Sequence, residues 1–152
     1  MRFILVDNII EMAPGRTIYA TKTLSAHEDV FIDHFPGFPV VPGVLLTEMM
    51  AQAAGRCLEA ADKGRGKAML LQVRKASFRR WVRPDERADI HADITSSADA
   101  YATAVCRITV GGEEVASADL LFSFLPWSSL SSDFRDEVLE RFLGVSFPGD
   151  SE

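Results

Sequence analysis

Cysteine is scarce in this sequence: Cys57 and Cys106 are the only two among 152 residues. Each lies in a run of apolar or small residues, and neither belongs to a CxxC or a Cys/His pair. That pattern speaks against a disulfide framework and for two buried thiols in a reducing compartment. It speaks equally against structural zinc, because no four-ligand spacing exists, and no metal is expected. Long apolar runs are lacking too. The run Phe3 to Val6 stops at Asp7, too short for the core of a signal peptide. The longest mainly apolar stretch, Val40 to Ala61, carries Glu48, Gln52, Arg56 and Glu59, so it reads as a buried helix and not a membrane span. The expectation is a cytoplasmic protein with no membrane insertion. Net positive charge is also missing. At −6 overall, and without an aromatic-studded nucleic-acid motif, the chain is not expected to bind nucleic acid.

The charge is unevenly spread. Between Lys63 and Arg87 lie nine of the sixteen basic residues, opposed only by Asp85 and Glu86, so this segment is +7 and the remainder −13. Such a patch on an acidic chain suits an acidic partner, or else a solvated strand edge with protective charges. The length suits one domain with a sizeable core.

Periodicity orders the elements. Phe3 to Met12 and Arg16 to Leu24 read as strands separated by the Pro14-Gly15 turn, and Ser25 could cap a helical turn through Asp29. Three prolines and two glycines in positions 36 to 43 forbid helix or central strand and make a stiff, shaped loop. Pro42-Gly43 then opens a helix from Val44 to Ala61, rich in Leu, Met and Ala and apolar nearly all round. Four strand signals follow: Ala68 to Phe78, Arg87 to Ser96, Ala100 to Val110 and Glu113 to Phe124. Arg83 to Glu86 links the first two, and Gly111-Gly112 turns a hairpin between the last two. Two strands, one buried helix and four strands pack most simply as α+β, a long central helix wrapped by a curved antiparallel sheet of about six strands. We expect this domain to span 1–125. The remaining 126–152 form a tail, in which Phe134, Val138, Leu139 and Phe142 make one apolar stripe of a short amphipathic helix. Ser132 or Asp133 would cap that helix and Gly144 stop it, docked on the body or on a partner subunit. Gly149 to Glu152 are expected to fray.

Two side chains invite chemistry. Glu48 sits inside Leu45-Leu46-Thr47-Glu48-Met49-Met50-Ala51, where burial disfavours the charged form and makes a proton donor. Gln52, one turn on, can hydrogen-bond and orient it. The alternative is an exposed polar stripe shared with Gln52, Arg56 and Glu59. His34 directly precedes the rigid loop and has the side chain best suited to act as a base near neutrality. Taken alone it could equally be structural, as His27 and His91 are read to be. Gly43 stands where the first N–H groups of a helix point outward and can polarise a carbonyl.

These residues together carry a resemblance. His34-Phe35-Pro36-Gly37, Pro39, Pro42-Gly43-Val44-Leu45, Glu48 and Met50-Ala51-Gln52-Ala53-Ala54-Gly55 resemble the signature of the FabZ/FabA 3-hydroxyacyl-carrier-protein dehydratases, closer to the FabZ branch. Phe3 to Asp7 and Lys75 to Pro84 extend the likeness, so that it covers roughly residues 3 to 124. The resemblance implies a hot-dog fold and a homodimer, or a hexamer of three dimers, with His34 of one chain paired with Glu48 of the other. It implies dehydration of a 3-hydroxyacyl group on acyl carrier protein to a trans-2-enoyl thioester, without cofactor. His34 would be the base, Glu48 the acid, and the Gly43 and Val44 backbone the carbonyl site. Gln52, Phe35, Pro36 and Gly37 would support them, and Arg79, Arg80 and Arg83 would dock the acidic carrier. Other readings are a hot-dog thioesterase or isomerase, or a non-catalytic acyl or carrier-protein binder. Asp33 stands where the FabZ pattern has glycine, which alters the loop backbone and sets a carboxylate beside His34. Phe38 and Trp81 also depart from the pattern.

Overall fold

The computed structural model describes residues 1–143. Six strands form one antiparallel sheet: β1 (Asn8–Ala13), β2 (Thr17–Thr23), β3 (Lys67–Phe78), β4 (Arg87–Ser97), β5 (Tyr101–Val110) and β6 (Glu113–Leu125), in the spatial order β1-β2-β4-β5-β6-β3. Three helices accompany them: α1 (Val30–Asp33), α2 (Gly43–Ala61) and α3 (Glu137–Leu143). The sheet wraps α2, which is the hot-dog arrangement.

Alternation makes this packing work. Ile18 and Ala20 of β2, Ala88, Ile90 and Ala92 of β4, Ala104, Cys106 and Ile108 of β5, and Ala116, Ala118, Leu120 and Phe122 of β6 are buried, while most of their neighbours along each strand are more exposed, Thr21 and Val115 being the buried exceptions. These side chains share the face that α2 covers. Many are alanines, so the helix axis can lie close to the sheet. Leu45, Leu46, Met49, Met50, Ala53, Ala54, Cys57 and Leu58 fill the facing side of α2 at helical spacing. Both cysteines are free and buried. Burial pushes the Cys57 thiol up and the Cys106 thiol up to about 12.

The hairpin at Gly111-Gly112 is present, both residues at positive φ (58° and 84°), as a tight two-residue β-turn between right-twisted strands requires. Three boundaries differ from the sequence reading. Residues 3–7 are not strand: β1 starts at Asn8, and Leu5 N–H instead donates to Gln52 Oε1 (2.9 Å). Ser25 does cap a turn, its Oγ accepting from His27 N–H (3.2 Å) and its carbonyl from Glu28 N–H (3.0 Å), but the helical turn falls later, at Val30–Asp33, just before His34. In the tail, the helix cap is neither Ser132 nor Asp133. Asp136 Oδ1 accepts from Val138 N–H and Leu139 N–H (3.1 and 3.2 Å), and α3 begins one residue later. Val138 and Leu139 are buried, so the tail helix docks on the body. Gly144 and Gly149 to Glu152 lie outside the described residues.

β3 is unlike the other strands. It stands at the sheet edge, and most of its residues are exposed, including Met69, Leu70, Leu71 and Val73. Lys67, Arg74 and Lys75 lie on it, so part of the basic segment is indeed a strand edge.

Candidate active site

The His34 loop is built by its own backbone. Phe35 N–H donates to Phe38 O (3.0 Å) and Phe38 N–H to Phe35 O (2.9 Å), closing a turn with Pro36 and Gly37 at its centre. Gly37 takes φ 75°, which only glycine enters cheaply after a proline in a turn of this kind. Val40 then clamps His34 twice. Val40 N–H donates to the His34 carbonyl (3.1 Å), and Val40 O lies 3.0 Å from His34 Nδ1. A carbonyl oxygen can only accept, so Nδ1 carries the proton in this bond. The neutral ring therefore presents Nε2 as a lone pair, the form a base needs. The Phe35 ring stacks on His34 at 4.0 Å between centroids, and the peptide between them is cis. Asp33 is exposed at the end of α1, and the bond that orients the His34 ring is to Val40, not to Asp33.

The loop feeds directly into α2. Val41 N–H donates to Val82 O (2.8 Å), Phe38 packs edge-on against Trp81 (5.2 Å), and the Arg83 guanidinium lies 5.4 Å from the Phe38 ring centre. Gly43 is the first helical residue, after Pro42. Neither its N–H nor that of Val44 meets a protein acceptor among the described residues, as the geometry of a helix start dictates. A Cβ on Gly43 would sit 3.3 Å from the Phe78 ring. Phe78, Arg79, Arg80, Trp81 and Arg83 line a cavity of about 520 Å³ beside it.

Glu48 lies five residues further along α2, a rotation of roughly 140° from Gly43 at 3.6 residues per turn. It is half-buried, neither sealed in the core nor on an open stripe. Gln52 Nε2 donates to Glu48 Oε1 (3.1 Å) and to Phe3 O (3.2 Å), while Gln52 Oε1 accepts from Leu5 N–H. The amide thus ties the carboxylate to the N-terminal segment, and it is what residues 3–5 do in place of strand pairing. Glu48 faces a cavity of about 390 Å³ walled by Ala51, Gly55, Ala68, Met69, Leu70 and Phe122. His34 is not on that wall.

The arginines are less available than their exposure in sequence suggests. Arg79 pairs with Glu114 (2.9 Å) and Ser117, and Arg80 with Glu113 (3.1 Å) and Glu86 (3.3 Å). The backbone N–H of Arg83, followed by the Arg80 guanidinium, holds the Glu86 carboxyl below its usual range. Among the three, only Arg83 has no ion pair among the described residues.

Sequence reasoning missed one group. Arg56 and Glu59, read as part of a polar stripe, are buried. Arg56 Nη1 bonds Asp136 Oδ2 (2.6 Å), and Lys67 Nζ bonds Asp136 Oδ2 (2.8 Å) and Glu59 Oε1 (2.9 Å). The available signal was the Arg56/Glu59 spacing of three on a buried helix, together with an aspartate before the tail helix. Among the described residues no three His, Cys, Asp or Glu side chains are grouped to hold a metal, and no helix is long and apolar enough to cross a membrane.

The model of the FabA-like domain matches residues 1–119. The chain belongs to the FabA-like family. Among its relatives, a protein of Oenococcus oeni named 3-hydroxyacyl-[acyl-carrier-protein] dehydratase FabZ is 39% identical over 120 residues, covering 78% of this chain and 86% of the relative. A protein of the same name from Lactiplantibacillus plantarum is 36% identical, over 78% and 82%. Solved structures share the fold. The dehydratase heterocomplex ApeI:P of Xenorhabdus doucetiae matches with TM-score 0.67 at 18% identity, over 81% of this chain and 84% of that one. A hypothetical thioesterase of Streptococcus pneumoniae with coenzyme A matches with TM-score 0.63 at 14% identity, over 78% and 85%.

Proposed function

We propose that this chain is a 3-hydroxyacyl-[acyl-carrier-protein] dehydratase of fatty-acid biosynthesis, with His34 as the base and Glu48 as the acid. The observation that carries the roles is the Val40 clamp, which engages His34 Nδ1 and leaves Nε2 as the ring nitrogen free to act as base. In this reading the thioester carbonyl accepts from Gly43 N–H, with Val44 N–H beside it, which acidifies the α-carbon. His34 Nε2 removes the α-proton. The C–H electron pair forms the α,β double bond as the C3–O bond breaks, and Glu48 gives its proton to the departing hydroxyl, which leaves as water. A proton passing from His34 back to Glu48 through solvent resets the site. Phe35, Pro36 and Gly37 hold the base in place, and Gln52 holds the acid.

The same reading makes the protein a homodimer in the cytoplasm. An edge strand exposing Met69, Leu70, Leu71 and Val73 is a template for a second copy. The angular separation of Gly43 and Glu48 on one helix favours a site completed by the partner chain. Arg83 is the arginine best placed to meet an acidic carrier, with Arg79 and Arg80 partly neutralised by their glutamates. A thioesterase or a non-catalytic binder has less support, because neither needs a base and an acid held by separate devices.

The test incubates the protein with 3-hydroxyacyl thioesters on carrier protein and follows the conjugated enoyl product by its ultraviolet absorbance, beside a free-thiol assay. Enoyl formation with a bell-shaped pH profile is expected, abolished by His34→Ala and by Glu48→Gln. Thiol release without enoyl formation would refute the reading.

A further inference from the structure

The buried ion cluster stands in the wall of the Glu48 cavity. Arg56, Glu59, Lys67 and Asp136 line that cavity together with the small and apolar side chains Ala51, Gly55, Met69 and Leu70. The polar residues that α2 contributes to this wall run in order along it: Glu48, then Gln52, then Arg56, then Glu59. At 1.5 Å of rise per residue, Arg56 lies about 12 Å beyond Glu48 along the helix and Glu59 about 16 Å. The cavity therefore begins at the acid, passes between apolar walls and ends on charge.

Asp136 is the keystone. It bonds Arg56 and Lys67 with one oxygen and caps α3 with the other. Burial by itself would push its pKa up, but Arg56 and Lys67 outweigh burial and hold it below its ordinary value. It comes from the tail, beyond the residues 1–119 that the family model matches. Arg56 Nε is buried with no partner among the described residues, so the cluster cannot close over a hydrocarbon without leaving that donor in an apolar setting.

Resting on the dehydratase reading, we infer that Asp136, with Arg56, Lys67 and Glu59, forms a polar stop that limits this enzyme to short and medium acyl chains. With C3 held at Glu48 and carbon–carbon bonds of about 1.5 Å advancing roughly 1.3 Å each in a zigzag, the methyl end meets Arg56 roughly nine bonds beyond C3, in a chain of about twelve carbons. A longer chain must either drive methylenes onto the ions or leave them in water.

The experiment is a chain-length profile on carrier protein, from four to sixteen carbons, for the full chain and for the variant Arg56→Leu, Glu59→Leu, Lys67→Met, Asp136→Leu. Replacing all four members together removes the ions without orphaning any, a change buried ion sets commonly survive. The wild type should lose at least roughly tenfold in kcat/KM between twelve and fourteen carbons, where the two methylenes past the stop are denied burial and correspond to about that factor. The folded variant should recover the longer substrates while keeping the short ones. Equal wild-type rates at six and fourteen carbons would overturn the inference without touching the dehydratase reading, as would a folded variant with the same limit. Should the variant not fold, the wild-type profile still decides, read with a fourteen-carbon chain bearing an ω-hydroxyl. Turnover of that chain but not of the plain one would make the cluster a receptor for polar ends and overturn its role as a stop. No dehydration at any length would instead defeat the dehydratase reading, and the inference with it.

Discussion

The placement of His34 and Glu48 yields a test that activity loss alone cannot give. His34→Ala and Glu48→Gln are each expected to be inactive as homodimers. If each site takes its base from one chain and its acid from the other, a mixed dimer of the two variants has one site carrying both lesions and one carrying none. A two-fold dimer has two such sites, so random exchange gives half the dimers as hybrids, each at half activity. The mixture should therefore recover roughly a quarter of the wild-type rate. The basis is geometric: Gly43 and Glu48 are about 140° apart around α2, and the cavity at Glu48 does not include His34. The assay is enoyl formation after mixing the variants under conditions that exchange subunits, with exchange verified by differential tags and native mass spectrometry. Silence from a mixture proven to contain hybrids would refute the cross-chain arrangement and place both groups in one chain.

Further expectations follow from individual contacts. Gln52→Leu leaves Leu5 N–H and Phe3 O without their partner; it should cost about 1–3 kcal/mol in urea unfolding and lower kcat more than it raises KM. Gly43→Ala sets a methyl 3.3 Å from the Phe78 ring at the carbonyl site, so kcat/KM should fall with stability little changed, and Gly43→Val should be worse on both measures. Asp136 has a folded pKa below its ordinary 3.8, so its contribution is present above that value and is lost as pH falls through the depressed one. Asp136→Asn should accordingly be destabilising at pH 7 in denaturant titrations, and its deficit against wild type should shrink once pH drops below about 3.8. With its thiol pushed up to about 12 and buried, Cys106 should resist a thiol reagent at pH 8 until the protein is unfolded. Rapid native labelling at Cys106 would contradict that packing.

The sheet and the central helix were legible in the sequence because their signals are local. Alternation in Ile90, Ala92 and Ile94, the Gly111-Gly112 turn and the Leu/Met/Ala run after Pro42 each declare themselves within a few residues. Phe3 to Asp7 misled because its apolar, β-branched run is real, but Leu5 N–H bonds Gln52, 47 residues away, and only Asp7 N–H reaches the neighbouring strand, at Thr21 O. The tail cap misled for a similar reason. Asp136 was overlooked because its value lies in Arg56 and Lys67, contacts 80 and 69 residues distant. His34 and Glu48 could be named from sequence, whereas the Val40 clamp and the absence of His34 from the wall of the Glu48 cavity are properties of the folded chain.

The alanine layer beneath α2 has a consequence beyond close packing. In the proposed dimer, one rod carries the carbonyl-binding end of its own site and the acid of its partner's. Ala20, Ala92, Ala104, Ala116 and Ala118 leave that rod no clearance. A single enlarged side chain among them would lift the rod and detune both reaction centres together, although none of the five touches a reacting atom. The enzyme's mutational target for silent-looking, inactivating changes thus lies in the plainest residues of the sheet.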